Sequence, residues 1–126
     1  MKSLPKLAKH YFHAYIRLRD KDNGCISCGK PFNGKYDAGH FWNSNNHASI
    51  RYDEDNVHGQ CVTCNQHLHG NLLEYQPRLL NKIGHYNYAR LEDLRHKHVQ
   101  WTNDQYQEII KTYKSKVKNL EKGLQE

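Results

Sequence analysis

Four cysteines, in two Cys-x-x-Cys pairs, are the residues of this sequence best suited to chemistry. Cys25-Ile-Ser-Cys28 and Cys61-Val-Thr-Cys64 each place two thiolates beside turn residues (Gly24, Gly29, Asn65). Two such knuckles in one chain predict a tetrahedral four-thiolate zinc site. Two disulfides, or four unpaired core thiols, are the other readings of the same residues. Four thiolates fill the shell of zinc and leave no position for a substrate, so the zinc is expected to be structural. Any reaction must then use the segment that the zinc brackets. The span from Cys28 to Cys61 exceeds the usual zinc-ribbon spacing, and closing it costs chain entropy. Metal binding, on the order of 10–16 kcal/mol in small zinc domains, more than offsets that cost.

The bracketed segment holds Asp37-Ala-Gly-His40 and Asp55-Asn56-Val-His58, and Asn65, His67, His69 and Asn71 follow. Hydrolysis of a phosphodiester needs a base for water and a cation at the scissile phosphate. His40 is the best candidate base, since an ordinary imidazole titrates near pH 6.5 and is neutral and basic at neutral pH. It lies beside Gly39, a residue that permits close backbone approach. Any one of ten histidines is by default a surface or core residue; the position of His40 within a hairpin separates it from the rest.

The elements that must position these residues follow from periodicity. Ser3 to Asp22 reads as a helix, with Ser3 as a cap and Pro5 in the first turn. Its apolar stripe (Leu4, Ala8, Tyr11, Tyr15, Leu18) has Lys6, Lys9, Arg17 and Arg19 beside or opposite it, a face that is either solvated or in contact with phosphates. Tyr36 to Phe41 and Ile50 to Tyr52 read as two short strands of a hairpin, with a loop at Asn43 to Asn46. Cys64 to His69 is helical in register. Leu72 to Ile83 reads as a helix capped by Asn71, interrupted by Pro77 and ended by Gly84; Tyr86 to His96 is another. Thr102 to Gln105 fits a capping box for a last helix to about Lys122. Tyr106, Ile109, Ile110, Tyr113, Val117 and Leu120 form its apolar stripe, which can pack on the chain's own core or on a second copy in a homodimer. Trp42 and Trp101 read as packing residues. The expected class is α+β, a single domain over residues 1–126, with a zinc-stapled core at about 25–71, a helix at about 3–22 and helices at about 72–122.

Composition bounds the partners. Lys and Arg total 19 against 13 acids, a formal charge of +6, with a sequence pI near 9.1. A basic domain of this size suits a polyanion, most often nucleic acid. The mean hydropathy is −1.04, so a metal staple is a reasonable source of stability. No apolar run reaches the length of a membrane span, and no secretory signal is visible at the start. Zinc-binding cysteines in such a chain fit a reducing cytoplasm.

Asp37-Ala-Gly-His40-Phe41, Asp55-Asn56-Val-His58-Gly-Gln-Cys61, Cys64-Asn65-Gln-His67 and Gly70-Asn71, preceded by Tyr15-Ile-Arg-Leu-Arg-Asp20 and Cys25-Ile-Ser-Cys28-Gly29, resemble the phage recombination nuclease family called NinG or Rap. That family belongs to the HNH, or ββα-metal, nucleases, and the likeness covers about Tyr11 to Gly84. The resemblance implies a ββα-metal core and a Mg²⁺- or Mn²⁺-dependent DNA endonuclease acting on branched DNA such as Holliday junctions, in the cytoplasm of a bacterial host. It makes His40 the general base, Asn56 the residue that pins the loop and orients it, and Asn65 a metal ligand at a helix start. The same four cysteines with an Asn occur in endonuclease VII-type junction resolvases.

Many HNH members carry an acidic ligand directly before the base, where this sequence has Gly39; Asp37 is the nearest carboxylate. In a regular strand Asp37 and His40 point to opposite faces, and a bulge at Ala38-Gly39 is the expected device for bringing them together. Lys35 and Arg51 are expected phosphate contacts. His69, four residues after Asn65, is expected to share its helix face and extend the site. Two other functions fit parts of the sequence: an HNH nuclease cutting ordinary duplex, and a non-catalytic zinc-stabilised DNA-binding module that needs neither His40 nor Asn65.

Overall fold

The computed structural model describes residues 2–123; residue 1 and residues 124–126, the ends of the predicted 1–126 domain, lie outside the described residues. Helix α1 spans Leu4–Arg19, strand β1 Tyr36–His40, strand β2 Val57–Cys61, helix α2 Leu72–Leu94 and helix α3 Asn103–Glu121. The class is α+β, as expected. β1 and β2 form a two-stranded antiparallel sheet in which Tyr36 faces Cys61 and His40 faces Val57. One side of the sheet packs on α1 and α3, where Phe12, Tyr15, Ile16, Ala38, Val57 and Tyr113 are buried together. A second cluster of Ile26, Phe41, Tyr75 and Leu79 joins the first knuckle and the end of β1 to α2.

Several expectations are corrected. The second strand is Val57–Cys61, and residues 50–52 instead follow a short 3-10 turn, Ala48–Ile50. β2 is buried almost throughout, so it carries no polar–apolar alternation. Its polar members have partners: Gln60 donates to Ser27 Oγ at 2.9 Å and to the Gly70 carbonyl at 2.6 Å, and His58 bonds the Asp55 carbonyl at 2.8 Å. α1 ends at Arg19 rather than Asp22, because Asp20 turns inward. Asp20 is 1% exposed, pairs with Arg19 and Lys82, and accepts the Gly59 N–H at 2.8 Å. Ser3 and Asn71 make no side-chain cap; Asn71 adopts φ 43 and donates to Glu74 and Cys64. Pro77 does not divide α2, whose backbone leaves helical values at Gly84 (φ 84). Leu73, whose carbonyl loses its helical donor to Pro77, is 92% exposed, so water can replace that bond. The capping box at Thr102 is present. The stripe of α3 packs inside the chain, with Ile109, Val117 and Leu120 on the α1 core, so it is not a free dimer surface.

Candidate metal and hydrolytic sites

The knuckles converge. The four cysteine sulfurs lie within 4.8 Å of one another, the only such cluster of His, Cys and acidic residues among those described. Cys28 Sγ and Cys61 Sγ are 3.9 Å apart, near the ~3.8 Å edge of a tetrahedron with ~2.3 Å metal–sulfur bonds. All four are free thiols, which removes the disulfide reading. Backbone N–H groups point at the sulfurs: those of Ser27, Cys28 and Cys61 at Cys25 Sγ, and that of Cys64 at Cys61 Sγ. The Asn71 amide donates to Cys64 Sγ. These donors stabilise thiolate. Burial opposes ionisation of Cys25, but the N–H groups bring it down to about 7. Burial and the neighbouring thiols push Cys64 up to about 12. Four thiolates this close ionise together only when a cation neutralises them, so the donor set fits a metal such as zinc.

A cavity of about 540 Å³ lies between the start of α1, the end of β1 and the loop that follows it. Among its lining residues are His13, Ala38, His40, Arg51, Asn65 and His69. His40, at the end of β1, has Nε2 at 3.0 Å from the Arg51 carbonyl oxygen. A carbonyl only accepts, so Nε2 carries the proton and Nδ1 keeps the lone pair of a neutral imidazole. Burial holds His40 below its ordinary value, and the positive charges of Lys9 and Arg51 act in the same direction. A neutral base is therefore available at neutral pH.

Asn56 is fully buried and fixes the loop that supplies that carbonyl. Its Oδ1 accepts from Trp42 N at 2.9 Å, and its Nδ2 donates to the Trp42 and Ile50 carbonyls at 2.9 and 3.3 Å. Asn65 lies in a single π-helical turn, Thr63–His67. Its Nδ2 donates to Asp37 Oδ2 at 3.0 Å, and Gln66 donates to the same oxygen at 2.9 Å. No bulge interrupts the β1–β2 register. Asp37 thus stays on the face opposite His40 and meets Asn65 there, while Asn65 also reaches the cavity. Gly39 has a packing cause: a Cβ there would lie 1.9 Å from Gln60 Oε1.

The family described as "Bacteriophage Lambda NinG protein" matches residues 1–124. The chain belongs to the NinG family. It is 40% identical over 115 residues to Protein ninG of Escherichia phage 933W, covering 91% of this chain and 57% of that protein. It is 39% identical over 117 residues to Protein ninG of Salmonella phage P22 (91% and 56%) and 38% identical over 115 residues to that of Escherichia phage lambda (91% and 56%). The chain thus spans just over half the length of these relatives. No solved structure matches.

Within this NinG-family chain the remaining predicted residues are distributed unevenly. Lys35 is exposed but lines a separate cleft with Arg17 and Tyr36, away from His40. Arg51 lines the cavity, though its guanidinium is tied to the Ser44 carbonyl. His69 also lines it, but not from a shared helix face: the turn ends at His67 and His69 has φ 52. His58 is a buried structural residue held at about 3 by burial, with Lys82 and Arg19 beside it. Trp42 and Trp101 pack, against Arg95 and Tyr52 respectively. His13 was not singled out from sequence. Its ring centroid is 5.6 Å from that of His40, and burial, with the neighbouring cationic groups, takes it down to about 3. Its signal was its place between Lys9 and Arg17, four residues from each, beside the buried stripe of α1. No described helix is long and apolar enough to cross a membrane.

Proposed function

We propose that this NinG-family chain is a metal-dependent DNA endonuclease of the HNH, or ββα-metal, type, with its four cysteines holding a structural zinc. The observation that carries the reading is the His40–Arg51 contact, which leaves a neutral Nδ1 in a cavity that Asn65 also lines. His40 takes the proton of the attacking water at Nδ1, while the Arg51 carbonyl holds Nε2–H and stabilises the imidazolium that results. Asn56 keeps the loop bearing that carbonyl in place. Asn65, which lines the cavity, and Asp37, bonded to it from the other face of β1, offer oxygen donors that suit a hard cation such as Mg²⁺ or Mn²⁺, which keeps several waters and needs only one or two protein ligands. When bound, that cation supplies stabilisation of negative charge at the phosphate.

The preference for branched DNA rests on the family resemblance. Two symmetric cuts in a four-way junction require two sites, which a two-fold dimer supplies. Because the α3 stripe is used within the chain, such a dimer pairs through another face. Cleavage of a synthetic four-way junction, compared with linear duplex and with and without added Mg²⁺, tests the reading. Mg²⁺-dependent cutting of the junction supports it in full. Equal cutting of linear duplex points to an ordinary HNH nuclease. Binding without cutting under every divalent ion tried points to a non-catalytic zinc module.

A further inference from the structure

α1 carries a row of basic and imidazole side chains beyond the residues assigned to hydrolysis. Lys6, Lys9, His10, His13 and Arg17 recur three and four residues apart, which places them on one face of the helix. A surface hollow is lined by these five and Lys2, all basic or imidazole side chains. It shares Lys9 and His13 with the His40 cavity, and Arg17 with the cleft that holds Lys35. Lys2, Lys6, Lys9, Arg17 and Lys35 make no ion pair among the described residues. Arg19, by contrast, is committed to Asp20 and to the Glu54 and Val57 carbonyls.

The row is also costly to the helix that bears it. A helix N-terminus carries partial positive charge and favours acids. The first turn of α1 has none; Lys6 sits there instead, and Lys2 lies just before the N-cap residue Ser3. A local rule broken in this way points to a binding role. The rest of α1 argues against a membrane surface as the partner: Ala8, Phe12 and Ile16 are fully buried, and Leu4, Leu7 and Leu18 are partly covered, so no continuous apolar face is free to enter lipid.

We propose that this face of α1 is the track along which the phosphate backbone of DNA runs into the His40 cavity. The inference rests on the nuclease reading, and deepens it by naming the surface that holds the substrate. From Lys6 to Arg17 the helix rises about 16 Å, enough to run beside about three successive phosphates of one strand. Lysine and arginine contacts to phosphate carry no sequence information, so the track binds without base preference.

The test is binding of a labelled random-sequence duplex to the zinc-loaded chain with no other divalent ion, so that catalysis plays no part. The salt dependence is followed between about 50 and 200 mM. Three proteins are compared: wild type, Lys6→Gln/Lys9→Gln/Arg17→Gln, and a control with equal charge loss on α3, Lys111→Gln/Lys118→Gln/Lys122→Gln. The α1 variant is expected to lose at least about tenfold in affinity, and its log K–log salt slope to fall by about 2.7, some 0.9 per lost phosphate contact. The α3 control is expected to stay within about threefold of wild type at the lower salt. Equal losses in both variants, or wild-type affinity in the α1 variant, overturn the track. So does α1-dependent binding to anionic phospholipid vesicles without binding to DNA. Failure of the nuclease reading is seen separately, as α1-dependent DNA binding with no cleavage after Mg²⁺ is added.

Discussion

The side-chain amide of Asn65 donates to Asp37 across 3.0 Å, joining the turn after β2 to the face of β1 that His40 does not occupy. The two oxygen-bearing residues proposed for the catalytic cation are therefore already neighbours. Asp37→Ala and Asn65→Ala are each expected to raise the Mg²⁺ concentration needed for half-maximal cleavage. Neither should release zinc, although Asn65 follows a zinc-site cysteine. Elemental analysis alongside a Mg²⁺ titration checks both points. An unchanged Mg²⁺ requirement in Asp37→Ala would reduce Asp37 to an anchor for the turn.

The four-thiolate site should hold one zinc per chain, and the fold should depend on it. Cys28 and Cys61 belong to knuckles from distant parts of the sequence, so loss of metal frees both ends of the intervening segment. Strong chelation, or Cys61→Ser, is expected to abolish or broaden cooperative unfolding by circular dichroism. A sharp, unshifted transition without metal would show that the apolar clusters suffice.

Acid should destabilise the fold well before its carboxylates titrate. Burial holds His13 and His58 at about 3, against an ordinary value of 6.5. The unfolded chain therefore binds protons below pH 6.5 that the native chain refuses. Each such imidazole removes about 1.4 kcal/mol per pH unit as pH falls from 6.5 toward 3. Asp20 acts in the same direction at lower pH: it is buried, but Arg19, the Gly59 N–H and Lys82 hold its carboxyl below the usual range. Its contribution is present above the ordinary carboxylate value and is lost below it. Denaturant melts from pH 7 to pH 5 should show falling stability. His58→Gln should flatten that slope, and an unaltered slope would mean that His58 titrates normally.

Asn56→Ala should cost about 2–3 kcal/mol, because it strips partners from buried backbone groups of Trp42. Cleavage should fall as well, through loss of the Arg51 carbonyl's position. A variant of wild-type stability would show that water replaces the amide.

Helices with clear apolar stripes were legible in the sequence: α1, the two parts of α2 about Gly84, and α3, whose Thr102 capping box is the one expected cap that forms. The cysteine cluster was legible because thiolate spacing is itself the signal. β2 was not. Its Val-His-Gly-Gln-Cys sequence looks polar, and only the tertiary partners of His58 and Gln60 make burial on both faces tolerable. The bulge expected at Ala38-Gly39 is absent, so Asp37 is not brought to the side of His40; it meets the turn bearing Asn65 on its own face instead. His13 escaped notice because a histidine on a helix shows no partner until the strand that carries His40 is placed beside it.

Whether His40 is the base is decided by single-turnover cleavage of a bound DNA junction in Mg²⁺. His40→Ala and His40→Gln are compared with wild type at saturating protein; the glutamine keeps an amide donor for the Arg51 carbonyl. Cleavage is expected to be slower by about 10²–10⁴ in both variants, with DNA affinity and zinc content unchanged. Cleavage at the wild-type rate by either variant would contradict it.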